Sequence, residues 1–480
     1  MSVGYIATAA IAPLAPQPYS FRDPDSRLTF VGDRVVRYVR PEIATDLREL
    51  LSSPIYERLV SRRALVSTRM NPTPDGGALL EHSRVFFPSY CWEWTRSMWV
   101  DAGRLTLELA RTLIEHGFVL KDATPANVLF QGTMPIFVDF GSIVRRSKGS
   151  PLWPGYAQFV RSFVLPLIAE RLLGWPLALS AYRREGYEPE EVCRQLGWFS
   201  RLRPSVVSTV TIPAYMARWI RNARVDRILE HKVDDGKARD ALSRCFNRLE
   251  RAIEHASAAP SQSQWSNYEQ VSRIAHERSR AEKQAFVERA LCRTRPQTIL
   301  DIGANVGTYC RLAASTGASV VAVERDVEAC DINFRLSRDA RFSVLPIAVD
   351  VARPSPAIGW NNEETLSFNT RAQAKFDLVL ALAVIHHLLV VDQIPLAFIV
   401  EMLSRCSRRF LLVEWVPPED PRFRELVRGR DGLFAHLTPE YARAVFAQRF
   451  DLLQQERLKS GRWLWLLEKN VFEQGRDERD

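Results

Sequence analysis

Four residues with an unusual spacing follow an apolar run in the second half of the chain. The segment ILDIGANVGTY, residues 299–309, places Asp301, Gly303, Asn305 and Gly307 in the pattern D-x-G-x-N-x-G. Glycine is needed where a backbone turns sharply and approaches a ligand closely. This pattern differs from the G-x-G-x-x-G fingerprint of dinucleotide-binding turns. We therefore interpret it as a strand-to-helix turn that holds a small ligand of another kind.

Acidic residues stand at the ends of the next two apolar runs. Glu324 ends VVAVE, about twenty residues beyond the glycines, the offset at which an acidic side chain meets ribose hydroxyls. Asp350 comes two residues after the end of FSVLPIA. Each residue alone is compatible with an ordinary loop carboxylate. Their order at successive strand ends favours a ligand site, because α/β sheets bind ligands at that edge.

Three further residues are candidates for acid–base chemistry, and one aromatic residue is a candidate for a substrate pocket. His386 and His387 follow an apolar run, and imidazole can take a proton from an oxygen or nitrogen nucleophile. The alternative is that they pack at the start of a helix; of the two, we prefer His386 as the base. Glu414 lies near the end of FLLVEWV, and it either faces a substrate or caps a backbone group or pairs with a nearby arginine. Trp360 either lines a substrate pocket or covers the sheet edge, which is the commoner role.

A second set of polar residues lies in the first half, in LKDATPANVLFQGTMPIFVDFGS (120–142). Asn127 follows Asp122 at a spacing of five, and a short hairpin then leads to Asp139. This spacing resembles the catalytic and metal-binding loops of protein-kinase-like and aminoglycoside-phosphotransferase-like folds. The resemblance implies that Asp122 orients a hydroxyl nucleophile, and that Asn127 and Asp139 hold magnesium against the phosphates of ATP.

Three departures from that pattern leave the activity of the first half open. The N-terminal hairpin offers only Gly32 in place of a glycine-rich loop. The nearest substitute for the phosphate-binding lysine is Arg37, and arginine is not interchangeable with lysine. Leu120 stands where histidine or tyrosine is usual. A working kinase, a degenerate binding module and a chance similarity all remain open; we favour the degenerate module, so Mg-ATP is the less favoured cofactor.

The elements that position the polar residues of the first half form a mixed, mostly helical block. RLTFVGDRVVRYV (27–39) predicts a hairpin with a Gly-Asp turn. A mixed helical stretch separates it from a loop predicted at MNPTPDGGALL (70–80). Residues 101–117 predict an amphipathic helix that ends at a glycine, and helical patterns dominate from about 155 to 257.

The second half shows a regular alternation of strands and helices. Strands predicted at TILDIG, SVVAVE, FSVLPIA, DLVLALA and FLLVEWV are separated by helical patterns. This alternation predicts a parallel, doubly wound α/β sheet of the Rossmann-like class. The predicted organisation is an irregular tail (1–25), an α+β kinase-like and mostly helical domain (26–256), a linker (257–267) and a doubly wound α/β domain (268–480).

Composition excludes several classes of protein. The 480 residues are 46% hydrophobic and 25% charged, which is typical of a globular chain of two or three domains. The formal net charge is +9, but the basic residues are not clustered with aromatics, so we expect no nucleic-acid partner. The seven scattered cysteines lack zinc-site spacing and predict reduced core thiols of a cytoplasmic protein. Charges interrupt the apolar stretch Phe163–Tyr182, which favours a pair of buried helices over a membrane span.

Taken whole, the chain resembles a two-domain family of bacterial class I S-adenosylmethionine-dependent methyltransferases that includes host-specific nodulation methyltransferase-like proteins. The resemblance covers most of the chain. In the first half it rests on YCWEWTRSMWVDAGRLTLEL, on LKDATPANVLFQGTMPIFVDFGS and on GYAQFVRSFVLPL. In the second half it rests on WSNYE, DIGANVGTY, IGWNNEE, LALAVIHHL and LLVEWVP.

The resemblance implies direct transfer of a methyl group from S-adenosylmethionine to a small-molecule acceptor. The implied cofactor contacts are the aminoacid end at Asp301, Gly303, Asn305 and Gly307, the ribose at Glu324, the adenine amine at Asp350, and the region of the methyl at the loop that carries Ala383. Two alternatives stay open: a bifunctional phosphotransferase–methyltransferase, and a regulatory protein that binds S-adenosylmethionine without catalysis. The acceptor atom and the oligomeric state are not predicted.

Overall fold

The computed structural model describes residues 20–32, 34–220, 232–257 and 277–470. Most of the predicted tail and linker, the motif WSNYE and the last ten residues lie outside these ranges. Within them, a four-stranded sheet belongs to the first half and a seven-stranded sheet to the second.

The first sheet contains the predicted hairpin and one hairpin that was not predicted. Its strands are β1 (Ser26–Val31), β2 (Arg34–Val39), β3 (Thr68–Pro72) and β4 (Ala78–His82), in the antiparallel order β1-β2-β4-β3. The helices Pro41–Leu51 and Pro54–Ser61 connect β2 to β3, and each begins with a proline, a residue preorganised for that position.

The prediction of a loop over 70–80 is wrong. Only the tip of this segment is a turn, where Thr73 donates its backbone N–H to Gly77 at 3.1 Å. The flanking residues pair with each other, and β4 also pairs with β2. The cluster of Asn, Pro, Asp and Gly therefore marks the hairpin tip, while ladder bonds between β3 and β4, and from β4 to β2, form the strands on both sides.

The long helix of the first half spans Arg96–Glu115 and begins earlier than the predicted Asp101. Thr95 caps it, because its side chain accepts a hydrogen bond from the Met98 N–H. The helix ends before Gly117, whose φ of 83° is the left-handed conformation that glycine adopts readily.

Short strands follow this helix and carry the polar residues of the first half. They form two antiparallel pairs, β5 (Phe118–Leu120) with β8 (Ile143–Arg145) and β6 (Val128–Gln131) with β7 (Met134–Phe137). The predicted hairpin after Asn127 is confirmed as β6–β7. Asp122 and Asn127 lie between β5 and β6, and Asp139 lies between β7 and β8.

The remainder of the first half is helical, as predicted. The α-helices are Tyr156–Phe159, Leu165–Leu173, Leu177–Ala181, Pro189–Gln195, Trp198–Arg201, Pro204–Val206, Ile212–Ile220 and Asp235–Ala256, with π-helical turns at Val160–Val164 and Val207–Thr211. The apolar stretch predicted as two helices divides at Gly174. Among the described helices, none combines the length and apolar character needed to cross a membrane.

The second sheet has the predicted parallel core. Its strands are β9 (Thr298–Ile302), β10 (Ser319–Glu324), β11 (Val344–Ala348), β12 (Phe376–Ala381), β13 (Ser407–Trp415), β14 (Phe450–Arg457) and β15 (Trp463–Lys469). The order is β11-β10-β9-β12-β13-β15-β14, and β9 to β13 are mutually parallel. The strands β14 and β15 are antiparallel and make the sheet mixed. Helices at Glu277–Thr294, Thr308–Ala314, Val327–Asp339, Phe368–Ala372, Ile385–Val390, Leu396–Cys406, Pro421–Val427, Asp431–Phe434 and Pro439–Phe446 connect or flank them.

The order of the parallel strands creates one special position along the sheet. From β9 the chain proceeds to β10 and β11 on one side, and it then returns to place β12 on the other side of β9. The connections after β9 and β12 therefore diverge. In doubly wound sheets this reversal opens a crevice at the carboxyl ends of the strands, where ligands bind.

Candidate functional site

A cavity of about 320 Å³ lies at the carboxyl ends of the parallel strands. Eight of the residues predicted for the second half line it, from the connections after β9, β10, β11 and β12: Asp301, Gly303, Asn305, Glu324, Asp350, Ala383, His386 and His387. Gly307 and Glu414 each adjoin residues of the cavity wall. Four separate stretches of sequence thus meet at one place, because parallel strands end at the same edge of the sheet.

The turn after β9 depends on its two glycines for different reasons. Gly303 has φ 74°, and a Cβ there would lie 3.0 Å from the side chain of Val384. Gly307 has φ 80°, and a Cβ there would lie 1.9 Å from Asn333 Oδ1. Gly303 therefore lets the loop after β12 approach the turn, whereas Gly307 lets the helix Val327–Asp339 pack against it.

Glu324 joins the glycine turn to the end of β10. Its carboxylate accepts the backbone N–H of Asn305 at 2.8 Å and that of Asp326 at 2.9 Å. Burial raises the pKa of Glu324 above its ordinary value, although these two hydrogen bonds oppose the shift. An ionised carboxylate has about four acceptor positions, so further donors can be bound there.

Asp301 is the most deeply buried acid of the cavity wall. Its residue is 2% exposed, and its carboxylate accepts a hydrogen bond from Cys310 Sγ at 3.0 Å. Burial raises the pKa of Asp301 to about 6. The protonation of this group therefore changes between mildly acidic and neutral pH.

The connections after β11 and β12 supply Asp350 and Ala383. Asp350 is half-buried and accepts the Ala352 N–H at 2.9 Å, which shapes the first turn of its loop. Ala383 has φ 58°, a left-handed conformation that is uncommon for a residue with a Cβ. Trp360, further along the loop after β11, is 69% exposed and is not among the described residues that line the cavity.

The two histidines are uncharged at neutral pH. Burial and the neighbouring His387 lower the pKa of His386 to about 3, and burial with Arg325 lowers the pKa of His387 to about 4. The rings lie 4.3 Å apart, and the buried Nδ1 of His386 has no hydrogen-bond partner among the described residues. A neutral imidazole can accept a proton, but a conjugate acid of such low pKa makes a weak base.

Glu414 is an ion-pair partner rather than an exposed acid. It is 2% exposed and lies 2.5 Å from Lys283 Nζ and 3.1 Å from Arg462 Nη1. Burial opposes its ionisation, but these two cations outweigh that effect and hold the pKa of Glu414 below its ordinary value. Of the interpretations made from sequence, pairing with an arginine is the one observed.

Lys283 and Arg462 line the cavity and were missed by the sequence analysis. Lys283 comes from the helix that precedes β9 and lies over the ring of Tyr309 at 4.6 Å. Arg462 comes from the β14–β15 turn and also pairs with Asp420 at 2.7 Å. Neither residue lies in a sequence motif. Their common partner Glu414 could be singled out from the sequence, but its ion-pair partners depend on how distant segments pack.

A second cavity, of about 570 Å³, lies in the first half and collects the other predicted set. Asp122, Asn127 and Asp139 line it together with Arg37 and Lys121. Arg37 Nη1 lies 2.9 Å from Asp139 Oδ1, so the arginine predicted as a lysine substitute does reach this carboxylate.

Hydrogen bonds within the chain already engage the three predicted residues. The Ser142 hydroxyl donates to Asp139 Oδ2, and the Asn127 amide donates to Ser142 Oγ at 3.1 Å. The Gln158 amide donates to Asp122 Oδ1 at 3.0 Å. Both oxygens of Asp139 therefore have protein partners, Arg37 and Ser142.

Comparison with known proteins gives one relative over nearly the full length. Nodulation protein NoeA of Rhizobium meliloti (strain 1021) is 27% identical over an alignment 491 residues long, gaps included. The alignment covers 97% of this chain and 99% of that protein. The predicted resemblance to the nodulation proteins is confirmed. No family model matches the chain.

Solved structures resemble parts of the chain. N-methyltransferase NodS from Bradyrhizobium japonicum WM9 matches 40% of this chain and 96% of its own, with 13% identity and a TM-score of 0.30. The bifunctional kinase-methyltransferase WbdD matches 42% of this chain and 40% of its own, with 18% identity and a TM-score of 0.30.

Proposed function

We propose that the second half binds S-adenosylmethionine in the cavity at the strand ends and transfers its methyl group to a small-molecule acceptor. The observation that carries this proposal is the convergence of Asp301, Glu324 and Asp350, from three successive strand ends, on one cavity. The volume of about 320 Å³ lies within the range of small-ligand pockets, roughly 300–1,000 Å³.

The chemistry of the lining fits such a cofactor. Glu324 accepts two backbone hydrogen bonds and retains acceptor positions for the two hydroxyls of a ribose. Asp350 would accept from the adenine amine. The backbone around Gly303 and Asn305, with Asp301, would hold the aminoacid end. Buried carboxylates without a full set of cationic partners also favour a cationic ligand.

The chain contributes alignment more than proton transfer. When bound, the cofactor supplies a methyl group that its sulfonium already activates. The cavity walls hold the acceptor in line with that group, which removes the entropic cost of the encounter. His386 is our candidate to receive a proton from the acceptor, and its low pKa keeps it in the neutral, accepting form. Glu414 holds Lys283 and Arg462 at the wall.

Transfer of labelled methyl from S-adenosylmethionine into a cell extract tests the proposal. We expect label in the small-molecule fraction with the full chain and none with Asp301→Ala. Label in the macromolecular fraction would keep the transferase and overturn the small-molecule acceptor. Cofactor binding without transfer into any fraction favours the regulatory alternative. A chain that binds neither S-adenosylmethionine nor S-adenosylhomocysteine would overturn the proposal.

A second candidate function concerns the first half, as a site that binds a phosphorylated ligand. Its support is that Asp122, Asn127 and Asp139 line one cavity with Arg37. The Arg37–Asp139 ion pair favours binding over catalysis, because the guanidinium competes with a metal ion for the Asp139 carboxylate. Magnesium-dependent turnover of ATP that is lost in Asp122→Asn would instead establish the bifunctional alternative.

A further inference from the structure

One segment of the first half contacts the loop after β11 and the helix after β10, two elements that continue from the walls of the cofactor cavity. We call residues 86–101, FFPSYCWEWTRSMWVD, the aromatic segment. It carries a sequence motif that the proposed chemistry does not use. Rings of this segment pack on the second half, with Phe87 centred 6.2 Å from Phe368 and 5.8 Å from Phe376.

The centre of this contact is a buried ion pair between the halves. Glu93 and Arg371 each have side chains that are 1% exposed, and the guanidinium donates to both carboxylate oxygens. Arg371 also donates to the Pro88 carbonyl at 2.6 Å, and its guanidinium lies 4.7 Å from the ring centre of Tyr90. A pair this deeply buried tolerates the loss of one partner poorly, because the other charge stays buried and uncompensated.

The same residues hold the loop that carries Asp350. The Ser355 hydroxyl donates to Glu93, and the Phe368 N–H donates to the Ser355 carbonyl at 2.9 Å. Further along the loop, the Leu366 N–H donates to Tyr90 Oη at 3.0 Å. Arg22 of the first half also pairs with Glu364 of this loop at 2.5 Å. The loop from β11 to the next helix is therefore bonded to the first half at three points.

The helix that follows Glu324 in the chain is also hydrogen-bonded to the aromatic segment. The N–H and hydroxyl of Ser97 donate to the two oxygens of Asp331 at 2.9 and 3.1 Å. Arg338 pairs with Asp101 at 2.8 Å. Both bonded residues of the second half lie on the helix Val327–Asp339, which directly follows the β10 connection.

We propose that Glu93 is a positioning residue for the cofactor cavity, and that the first half sets the cofactor affinity of the second by holding the loop after β11. This inference rests on the proposed function of the cavity. Glu93 does not touch the cavity itself. It acts through Ser355 and Arg371 on the loop that begins at Asp350, so that loosening this contact lets the adenine side of the cavity open.

Calorimetric titration of the full chain with S-adenosylhomocysteine tests the inference. We expect Glu93→Gln, which removes the charge but keeps the shape, to raise the dissociation constant by about tenfold or more. Ser355→Ala removes one hydrogen bond to the same carboxylate and should raise it by about threefold. The matched control is Arg146→Gln, which breaks the Arg146–Asp235 pair of the first half, where the arginine side chain is 5% exposed.

The inference requires that the control variant lose stability without losing cofactor affinity. Both Glu93→Gln and Arg146→Gln are expected to lower the unfolding temperature, but only Glu93→Gln should weaken binding and speed hydrogen exchange of amides in 351–367. Equal dissociation constants for wild type and Glu93→Gln would overturn it, as would an equal loss in Arg146→Gln. Should Glu93→Gln not fold, an unchanged constant in Ser355→Ala overturns it alone. A wild type that does not bind removes the proposed function, and this inference with it.

Discussion

The two cavities of this protein differ in whether their carboxylate oxygens still have acceptor positions for a ligand. In the second half, Glu324 accepts two backbone hydrogen bonds and keeps acceptor positions facing the cavity. In the first half, both oxygens of Asp139 have side-chain partners, Arg37 and Ser142. Predicted residues converge in both places. Convergence therefore does not by itself identify a working site; the atoms that would bind the ligand must also be available.

We expect the strongest loss of cofactor binding when the carboxylate of Glu324 is removed. Glu324→Ala removes both proposed ribose contacts and should weaken binding of S-adenosylhomocysteine by about a hundredfold, since hydrogen bonds to charged groups contribute about 1.5–3 kcal/mol each. Calorimetry measures the change. Glu401→Gln is the control, because Glu401 pairs with Arg405 on the helix surface. Unchanged affinity in Glu324→Ala would contradict the assignment.

Asp139 offers the corresponding change in the first half. Asp139→Asn leaves Arg37, whose side chain is 10% exposed, without its closest anion, and should lower the free energy of unfolding by about 2 kcal/mol. Asp122→Asn, whose partner is the neutral Gln158, should lower it by less than about 1 kcal/mol. Urea denaturation of both variants compares the two losses. If Asp122→Asn were the more damaging, the Arg37–Asp139 ion pair would not be the stronger interaction of this cavity.

The pH dependence of cofactor binding tests whether the ionised carboxylate of Asp301 holds the cofactor. Its pKa is raised by burial to about 6, so the carboxylate is ionised above that pH and protonated below it. If the ionised form holds the cofactor, affinity falls by about tenfold per pH unit below 6. The unliganded protein behaves oppositely, because a raised acid pKa makes stability fall as pH rises from about 4 to 6. Titrations from pH 5 to 8 measure the binding trend, which Asp301→Asn should flatten.

The smallest expected effect concerns His386. The pKa of His386 is lowered to about 3. An effective general base has a pKa near the operating pH, and that of His386 lies far below neutral pH. We expect His386→Asn to lower methyl transfer by about tenfold, below the hundredfold to ten-thousandfold that general acid–base catalysis typically contributes. A larger loss, or a rate profile with a step near pH 6.5, would show that the histidine is a stronger base than its surroundings indicate.

Strand and helix periodicity predicted the core of the second half well. The runs that became β9, β10 and β12 are almost continuously apolar, because strands buried on both faces need no polar alternation. The antiparallel pair β14–β15 was not predicted, and neither was the β3–β4 hairpin of the first half. Both depend on ladder bonds to strands that are distant in sequence. Such pairing has no local signal beyond a turn.

The groups that stand at the strand ends of the second half could be predicted from the sequence alone. The glycine turn, Glu324 and Asp350 could be placed at one sheet edge because parallel topology brings strand ends together. Only the tertiary structure decided how these groups are used. It buried Asp301 and the histidines, brought Lys283 and Arg462 to Glu414, and joined Glu93 to Arg371 across the two halves. Burial and ion pairing depend on neighbours tens to hundreds of positions away, and no local pattern of residues encodes them.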